Sequence, residues 1–286
     1  FKYRDLISDI KTGFPLVLNF IVDFILAGSD RYLIGLFLTV TSIGYYNPAY
    51  MVGSLIILFP KAMGGALPQL LSKAVDNKKE KEAHKIINYS LKIFLLLAIP
   101  YIFGTIIFGK QILTLLANSD VAQNGYLLIP IIAFGTLFYG LNLILSNILF
   151  VRMETTSIFK MNLIASIFNL LANIIFIYLF RDITVAAITT LFSYLIAFIY
   201  IYMKIKKDWI INFHPATIFK SILASSIMGF LLNFISNYLS ESILALFFQI
   251  GLGIIIYLSV LIIIKTFSND EINFIKNYFQ SININE

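Results

Sequence analysis

Eight apolar stretches follow one another along this chain, at approximately 13–40, 47–72, 86–109, 123–151, 156–180, 183–204, 216–237 and 243–265. A helix crosses the hydrocarbon of a bilayer in roughly 20 residues at about 1.5 Å each. Lipid offers an open backbone no hydrogen-bond partners, so runs this long and continuous predict helices rather than barrel strands. Composition closes off an aqueous globule. Of 286 residues, 59% are hydrophobic and 13% charged, where an average soluble domain has about 45–50% and about 25%. Disorder, a collagen, a disulfide scaffold and a nucleic-acid module are excluded on the same grounds. With no cysteine there is no thiolate catalysis and no zinc–thiolate site. Two histidines, both in polar stretches, offer little to a metal enzyme.

The charges orient the spans. Lys2, Arg4 and Lys11 precede the first; Lys73, Lys78, Lys79, Lys81 and Lys85 follow the second; Arg152 and Lys160 follow the fourth. Lys204, Lys206, Lys207 and Lys220 follow the sixth, and Lys265 and Lys276 the eighth. The alternate connections hold only Lys110 and Arg181. Both ends of the segment are therefore expected in the cytoplasm, and the net charge of +6 is this asymmetry in total rather than a nucleic-acid footprint. Lys2, Arg4, Asp5, Asp9 and Lys11 interrupt any signal-peptide run. The start at Phe1 without a methionine leads us to expect a longer reading frame or processing.

Tyr45, Tyr46 and Tyr50 at one end of the second span, and Trp209 before the seventh, occupy interfacial anchor positions. The polar segment from Lys204 to Pro215 is the best internal boundary, dividing a six-span part, 1–207, from a final pair with its tail, 208–286. Ser268 to Glu271 has the form of a capping box, and Ile272, Ile275, Phe279 and Ile282 then predict a surface-lying helix.

Five charged residues fall within apolar spans: Asp23, Asp30, Arg31, Lys61 and Lys92. An ion at mid-bilayer costs about 2.5–3.5 kcal/mol on insertion scales, so such groups usually face a bundle interior or an aqueous cavity. Asn19, Asp23 and Asp30 fall within roughly a 40° arc of the first helix, a polar stripe that Arg31 flanks. Arg31 is open to two uses, neutralising an acid within the bundle or facing the cavity. Lys61 lies near the midplane beside Pro60, Gly64, Gly65 and Pro68, where a kink is expected to line a cavity. Lys92 is placed to reach the interface as an anchor. Asn162, Ser166, Asn169 and Asn173 form a second narrow stripe on the fifth span, suited to interhelical hydrogen bonds or to a glycan-facing wall. Pro100 and Pro130 are expected to kink spans three and four. No nucleophile–base pair, phosphate loop or close carboxylate pair suggests catalysis or a cofactor, and His84 and His214 read as plain surface residues.

Asp30-Arg31-Tyr32-Leu33-Ile34-Gly35, then Ile43-Gly44-Tyr45-Tyr46 and Ala49-Tyr50, resembles the polysaccharide-biosynthesis family of membrane exporters, the O-antigen and teichoic-acid flippases of the multidrug/oligosaccharidyl-lipid/polysaccharide superfamily. Leu67-Pro68, Ser90-Leu91-Lys92, and Ala186 to Thr190 with Ser193-Tyr194 extend the likeness from about Asp5 to Lys206. The stretch from Val185 to Thr189 departs from it where relatives often carry Gly and Ala. The resemblance implies an all-α membrane fold of eight transmembrane helices, a six-helix C-terminal lobe plus two extra helices, with an N-terminal lobe of the same protein missing from this chain. It further implies a non-enzymatic flippase of the plasma membrane that moves lipid-linked oligosaccharide for cell-surface polysaccharide biosynthesis. Its partners would be that glycan substrate and membrane lipid. In that setting Arg31 and Lys61, with Asn19, would meet the lipid diphosphate. Asp23 and Asp30 would serve as a coupling-ion site or counter-charges, and Asn162, Ser166, Asn169 and Asn173 would line the cavity. A cation-coupled multidrug exporter of the same superfamily, and a scaffold or polymerase of a glycan pathway, are the alternatives; short outer loops count against a polymerase.

Overall fold

The computed structural model describes the backbone of residues 3–236 and 242–267, and within these it is helical with no strand. The capping box at Ser268 and the tail helix expected after it lie outside the described residues. The chain divides into two compact units, Phe1–Phe213 and His214–Glu286.

In the first unit α1 runs Tyr3–Phe37, α2 Val40–Gly53, α3 Leu58–Met63, α4 Ala66–Asp76 and α5 Glu80–Leu116. They are followed by α6 Ser119–Gly125, α7 Leu128–Val151, α8 Thr155–Phe180 and α9 Ile183–Ile205. Side chains start the helices where an unpaired N–H would otherwise be left: Thr39 caps α2, Asn118 caps α6 and Asp182 caps α9. Arg181 ends α8 in the left-handed region at φ 53°, with its guanidinium on the Phe37 carbonyl at the end of α1.

Among the described residues seven helical runs are long and apolar enough to cross a membrane: Val40–Asp76, α5, α7, α8, α9 and the two helices of the second unit. The eighth expected span is α1, where the apolar segment is Val17–Leu26. Asp23, Asp30 and Arg31 lower its hydropathy, and the neighbours that receive these charges are other helices rather than lipid.

The second span is broken, as its prolines and glycines predict, but it begins at Val40 rather than 47. A 3₁₀ turn, Leu55–Ile57, separates α2 from α3, and Gly64 and Gly65 separate α3 from α4. Carbonyls released at the first break are satisfied from neighbours. The Tyr101 hydroxyl donates to Val52 O, and Thr136 Oγ1 to Gly53 O at 3.2 Å. Pro100 lies inside the continuous α5, whereas Pro130 falls in the first turn of α7, where its missing N–H has no helical partner to lose. The fourth expected span is accordingly interrupted at Tyr126 and Leu127, just before Pro130.

α7 is the hub, packed against α2, α5 and α9. Small residues bring the backbones together. A Cβ at Gly53 would sit 2.9 Å from the Ile129 carbonyl, and one at Gly135 3.1 Å from Leu191 Cα. Ile34, Tyr46, Ala49, Val52, Ile129 and Ile132 share the core built there.

Two residues expected at the interface, Lys92 and Trp209, are drawn inward. Lys92 is 7% exposed rather than an interfacial anchor. Trp209 is buried with its ring centroid 4.8 Å from that of His84, so neither is a free interfacial group. The segment after α9 is pinned to α5 at both faces of Asn88, which donates to Ile210 O and accepts from Asn212 N.

The second unit comprises α10, Pro215–Ser236, and α11, Ile243–Ile263. Ser221 Oγ and the Tyr257 hydroxyl are 2.7 Å apart, and Lys220 donates to Lys265 O.

Candidate functional site

The two polar stripes predicted on the first and fifth spans meet along α1 and α8. Asn162 Nδ2 donates to Asn19 Oδ1 at 2.8 Å, Ser29 Oγ to Asn169 Oδ1 at 3.1 Å, and Asn173 Nδ2 to Asp30 Oδ1 at 3.2 Å. Asn162, Ser166, Asn169 and Asn173 are all buried, and the three asparagines hydrogen-bond to α1, to α9 or to one another. Matching amides and hydroxyls by register is how helices associate where no water competes.

Asp30 is the centre of that seam. It is 1% exposed, and its carboxylate accepts from three other helices: from Tyr46 of α2 at 2.7 Å, from Thr190 of α9 at 2.9 Å, and from Asn173 of α8. A second layer holds those donors. Asn169 donates to Thr190 Oγ1 and Asn173 Nδ2 to Asn169 Oδ1, while Thr189 donates to Asn173 Oδ1. A carboxylate in low dielectric persists only when its lone pairs are met this fully.

The next residue, Arg31, reaches the same helix by different groups and is half-buried. Its Nε donates to Asn47 Oδ1 at 2.7 Å, and its Cζ sits 4.6 Å from the centroid of the Tyr50 ring. Asn47 and Tyr50 are three apart on α2, hence on one face, and Tyr46 and Tyr50 lie ring to ring at 5.8 Å.

Asp23, seven residues earlier, accepts from the Tyr139 hydroxyl of α7 at 3.0 Å. Tyr139 packs on Tyr194 of α9 at 4.8 Å between centroids, and the Tyr194 and Tyr50 hydroxyls are 3.4 Å apart. Four tyrosines thus link the surroundings of Asp23 to those of Arg31 and Asp30. Lys61, on α3, is exposed, and its ammonium lies within electrostatic reach of Asp23. Among the described residues no hydrogen bond or ion pair engages it. The two predicted cations are therefore associated with different acids, Arg31 with Asp30 and Lys61 with Asp23.

Sequence reasoning missed the α2 half of the site. Tyr46, Asn47 and Tyr50 were assigned to the interface or passed over, and the structure gives them to Asp30 and Arg31; Tyr45 bonds Asp120 instead. The available signal was an Asn between tyrosines spaced i, i+4 inside an apolar run. Among the described residues no cluster of three or more His, Cys, Asp or Glu is disposed to hold a metal ion. What the seam offers is oxygen: carboxylate, hydroxyl and amide.

A family model described as "Lipid II flippase MurJ" matches residues 13–259. The chain is 25% identical over 232 residues to a protein of Haloferax volcanii described as "Probable low-salt glycan biosynthesis flippase Agl15", a match covering 81% of this chain and 49% of that one. It is 28% identical over 90 residues to "Probable flippase AglR" of the same organism, over 32% of this chain and 19% of the relative. The chain thus spans about half the length of the first of these relatives. Among solved structures, a lipid II flippase MurJ in an inward closed conformation superposes with TM-score 0.70 at 20% identity, over 91% of this chain and 55% of the other. An outward-facing MATE family multidrug transporter superposes with TM-score 0.58 at 18% identity, over 81% and 54%. At such identities these likenesses establish the fold.

Proposed function

The chain belongs to the lipid II flippase MurJ family, and from that premise we propose that it acts in moving a lipid-linked oligosaccharide across the plasma membrane for cell-surface polysaccharide biosynthesis. It is a multi-pass membrane protein. The step makes and breaks no bond: a polar headgroup is passed through an aqueous cavity while its lipid stays in the bilayer.

One observation carries the reading. A half-exposed guanidinium, Arg31, follows directly on a fully satisfied buried carboxylate, Asp30, in the helix whose apolar segment is Val17–Leu26. Asp30 receives three donors from other helices, and the Arg31 charge lies beside it. A lipid diphosphate is a dense anion that a cation in this position would attract. Arg31 and Lys61 meet the diphosphate, and Asn19 borders the same wall. Asp23 and Asp30 are the ion-coupling or counter-charge positions, with the buried Asn162, Ser166, Asn169 and Asn173 forming the wall behind Asp30. The oxygen-rich surroundings of Asp30 suit a hard monovalent cation.

The working transporter sets this six-helix lobe, residues 1–207, against a second lobe of the same protein, with 208–286 supplying two further helices. Coverage of about half of the Agl15 flippase supports that division. Both ends of the segment face the cytoplasm, as the basic loops require. The drug-exporter alternative has fold likeness alone behind it.

The test is surface glycan in a flippase-deficient strain, at matched expression, using the chain as its native gene encodes it. Arg31→Gln alone and combined with Asp30→Asn should both fail to restore glycan. A double variant as active as the unmodified protein would make Arg31 a structural counter-ion and overturn its role with substrate.

A further inference from the structure

We propose that Lys81 and Lys85 at the start of α5, with Lys206 and Lys207 in the turn that follows α9, form one binding site for the headgroup of an anionic phospholipid. The site shares no residue with the Asp30 seam and stands independently of what the transporter carries.

Two distant segments are fastened together here. Asn88 Nδ2 donates to Ile210 O at 3.0 Å, and Asn88 Oδ1 accepts from Asn212 N at 2.9 Å, across 122 and 124 residues of chain. The buried ring of Trp209 adds a second attachment, 4.8 Å from His84 between centroids. Lys81, His84, Lys85 and Asn88 are spaced i, i+3, i+4 and i+7, which is one face of a helix. The turn that carries Lys206 and Lys207 is therefore laid on the face of α5 that carries Lys81 and Lys85. Trp209, expected to face lipid, is instead the strut that holds this turn, and the residue after it, Ile210, is 73% exposed.

All four lysines are exposed. Among the described residues none of them is in an ion pair, although the Lys206 ammonium sits 6.0 Å from the centroid of the Tyr202 ring. Neighbouring acids are engaged elsewhere: Glu82 with Lys79 at 3.1 Å, and Asp208 with Arg152 at 2.8 Å. Glu80, in the first turn of α5, still leaves the patch positive. Gathering like charges on one surface is unfavourable until a counter-charge joins them. Orienting a span asks only for basic residues in its loop, not for two loops to converge. Helix α9, apolar enough to cross a membrane, ends at Ile205, and Ile210 offers apolar surface beside the cations. At such a boundary the anion at hand is a lipid headgroup, and each lysine adds about fivefold to the attraction.

The experiment measures lipid binding to the purified natively encoded chain in neutral detergent by native mass spectrometry, with dioleoyl phosphatidylglycerol and dioleoyl phosphatidylcholine as probes. Phosphatidylglycerol should bind at least about tenfold more tightly. Lys81→Gln with Lys85→Gln should weaken it at least about tenfold, and so should Lys206→Gln with Lys207→Gln. Joining the two pairs should cost no more than about twofold beyond either, because one headgroup needs both segments. Asn88→Ala keeps every lysine but releases the turn, and should weaken binding about threefold or more. Lys110→Gln with Lys160→Gln, at the far end of α5 and on α8, removes as much charge and should bind within about twofold of the unmodified protein. Equal affinity for the two lipids, an equal loss in the Lys110, Lys160 pair, or undiminished binding in Asn88→Ala would each overturn the site. Displacement of phosphatidylglycerol by an equal concentration of inorganic phosphate would assign the cations to a soluble anion and overturn it as well.

Discussion

The Tyr46 hydroxyl of α2 donates to Oδ2 of Asp30 in α1 at 2.7 Å, with both side chains withdrawn from the surface. This bond joins two helices through a carboxylate that could not stay charged there without such donors. Tyr46→Phe deletes the hydroxyl and leaves the volume, so it should destabilise the protein by about 1.5–3 kcal/mol, the range for hydrogen bonds to charged groups. Thermal unfolding in detergent checks this, with Tyr32→Phe, on an exposed tyrosine, as a control that should leave the transition unmoved.

The Asn19–Asn162 bond at 2.8 Å ties the other end of α1 to α8. A double-mutant cycle through Asn19→Ala and Asn162→Ala should return a coupling of about 0.6–1.7 kcal/mol, as interhelical hydrogen bonds in membranes do. Additive losses would mean that the two side chains do not act on each other.

Close approach of α2 to α7 at Gly53 should be sensitive to a single methyl. A Cβ there meets the Ile129 carbonyl at 2.9 Å and Ile132 side-chain atoms at 2.8 Å, whereas one at Gly44 meets nothing within 4 Å. Gly53→Ala should cost about 1–3 kcal/mol by overpacking, while Gly44→Ala should be neutral or mildly stabilising. Equal unfolding temperatures for the two variants would contradict the packing.

Orientation is open to direct labelling in a chain that has no native cysteine. Cysteine at the exposed Asn77 should be protected from an impermeant thiol reagent in intact cells, and cysteine at the exposed Ser119 should react. Labelling at Asn77 from outside would reverse the topology.

Hydropathy made the helical membrane fold legible, because it follows from bulk transfer energetics that each segment carries by itself. The polar stripes were legible for the same reason: Asn19, Asp23 and Asp30, or Asn162 to Asn173, share an arc fixed by helical geometry alone. What each stripe faces was not, since that depends on which helices become neighbours. Tyr46 and Tyr50 illustrate the gap. A tyrosine near a span end satisfies its hydroxyl equally well in headgroups or on a buried carboxylate, and only the α1–α2 approach decides in favour of Asp30 and Arg31. Lys92 failed in the same way, its burial being set by a bundle that its own helix does not encode.

If Arg31 and Lys61 meet a lipid diphosphate, its passage across the bilayer should depend on both charges. The natively encoded chain should be reconstituted in liposomes with a fluorescent polyprenyl-diphosphate sugar, and flipping followed by quenching with an impermeant reductant. Protein-dependent flipping should fall at least about tenfold in Arg31→Gln, fall also in Lys61→Gln, and be inhibited by pyrophosphate but not by a neutral sugar. Undiminished flipping in the Arg31→Gln, Lys61→Gln double variant would contradict that dependence.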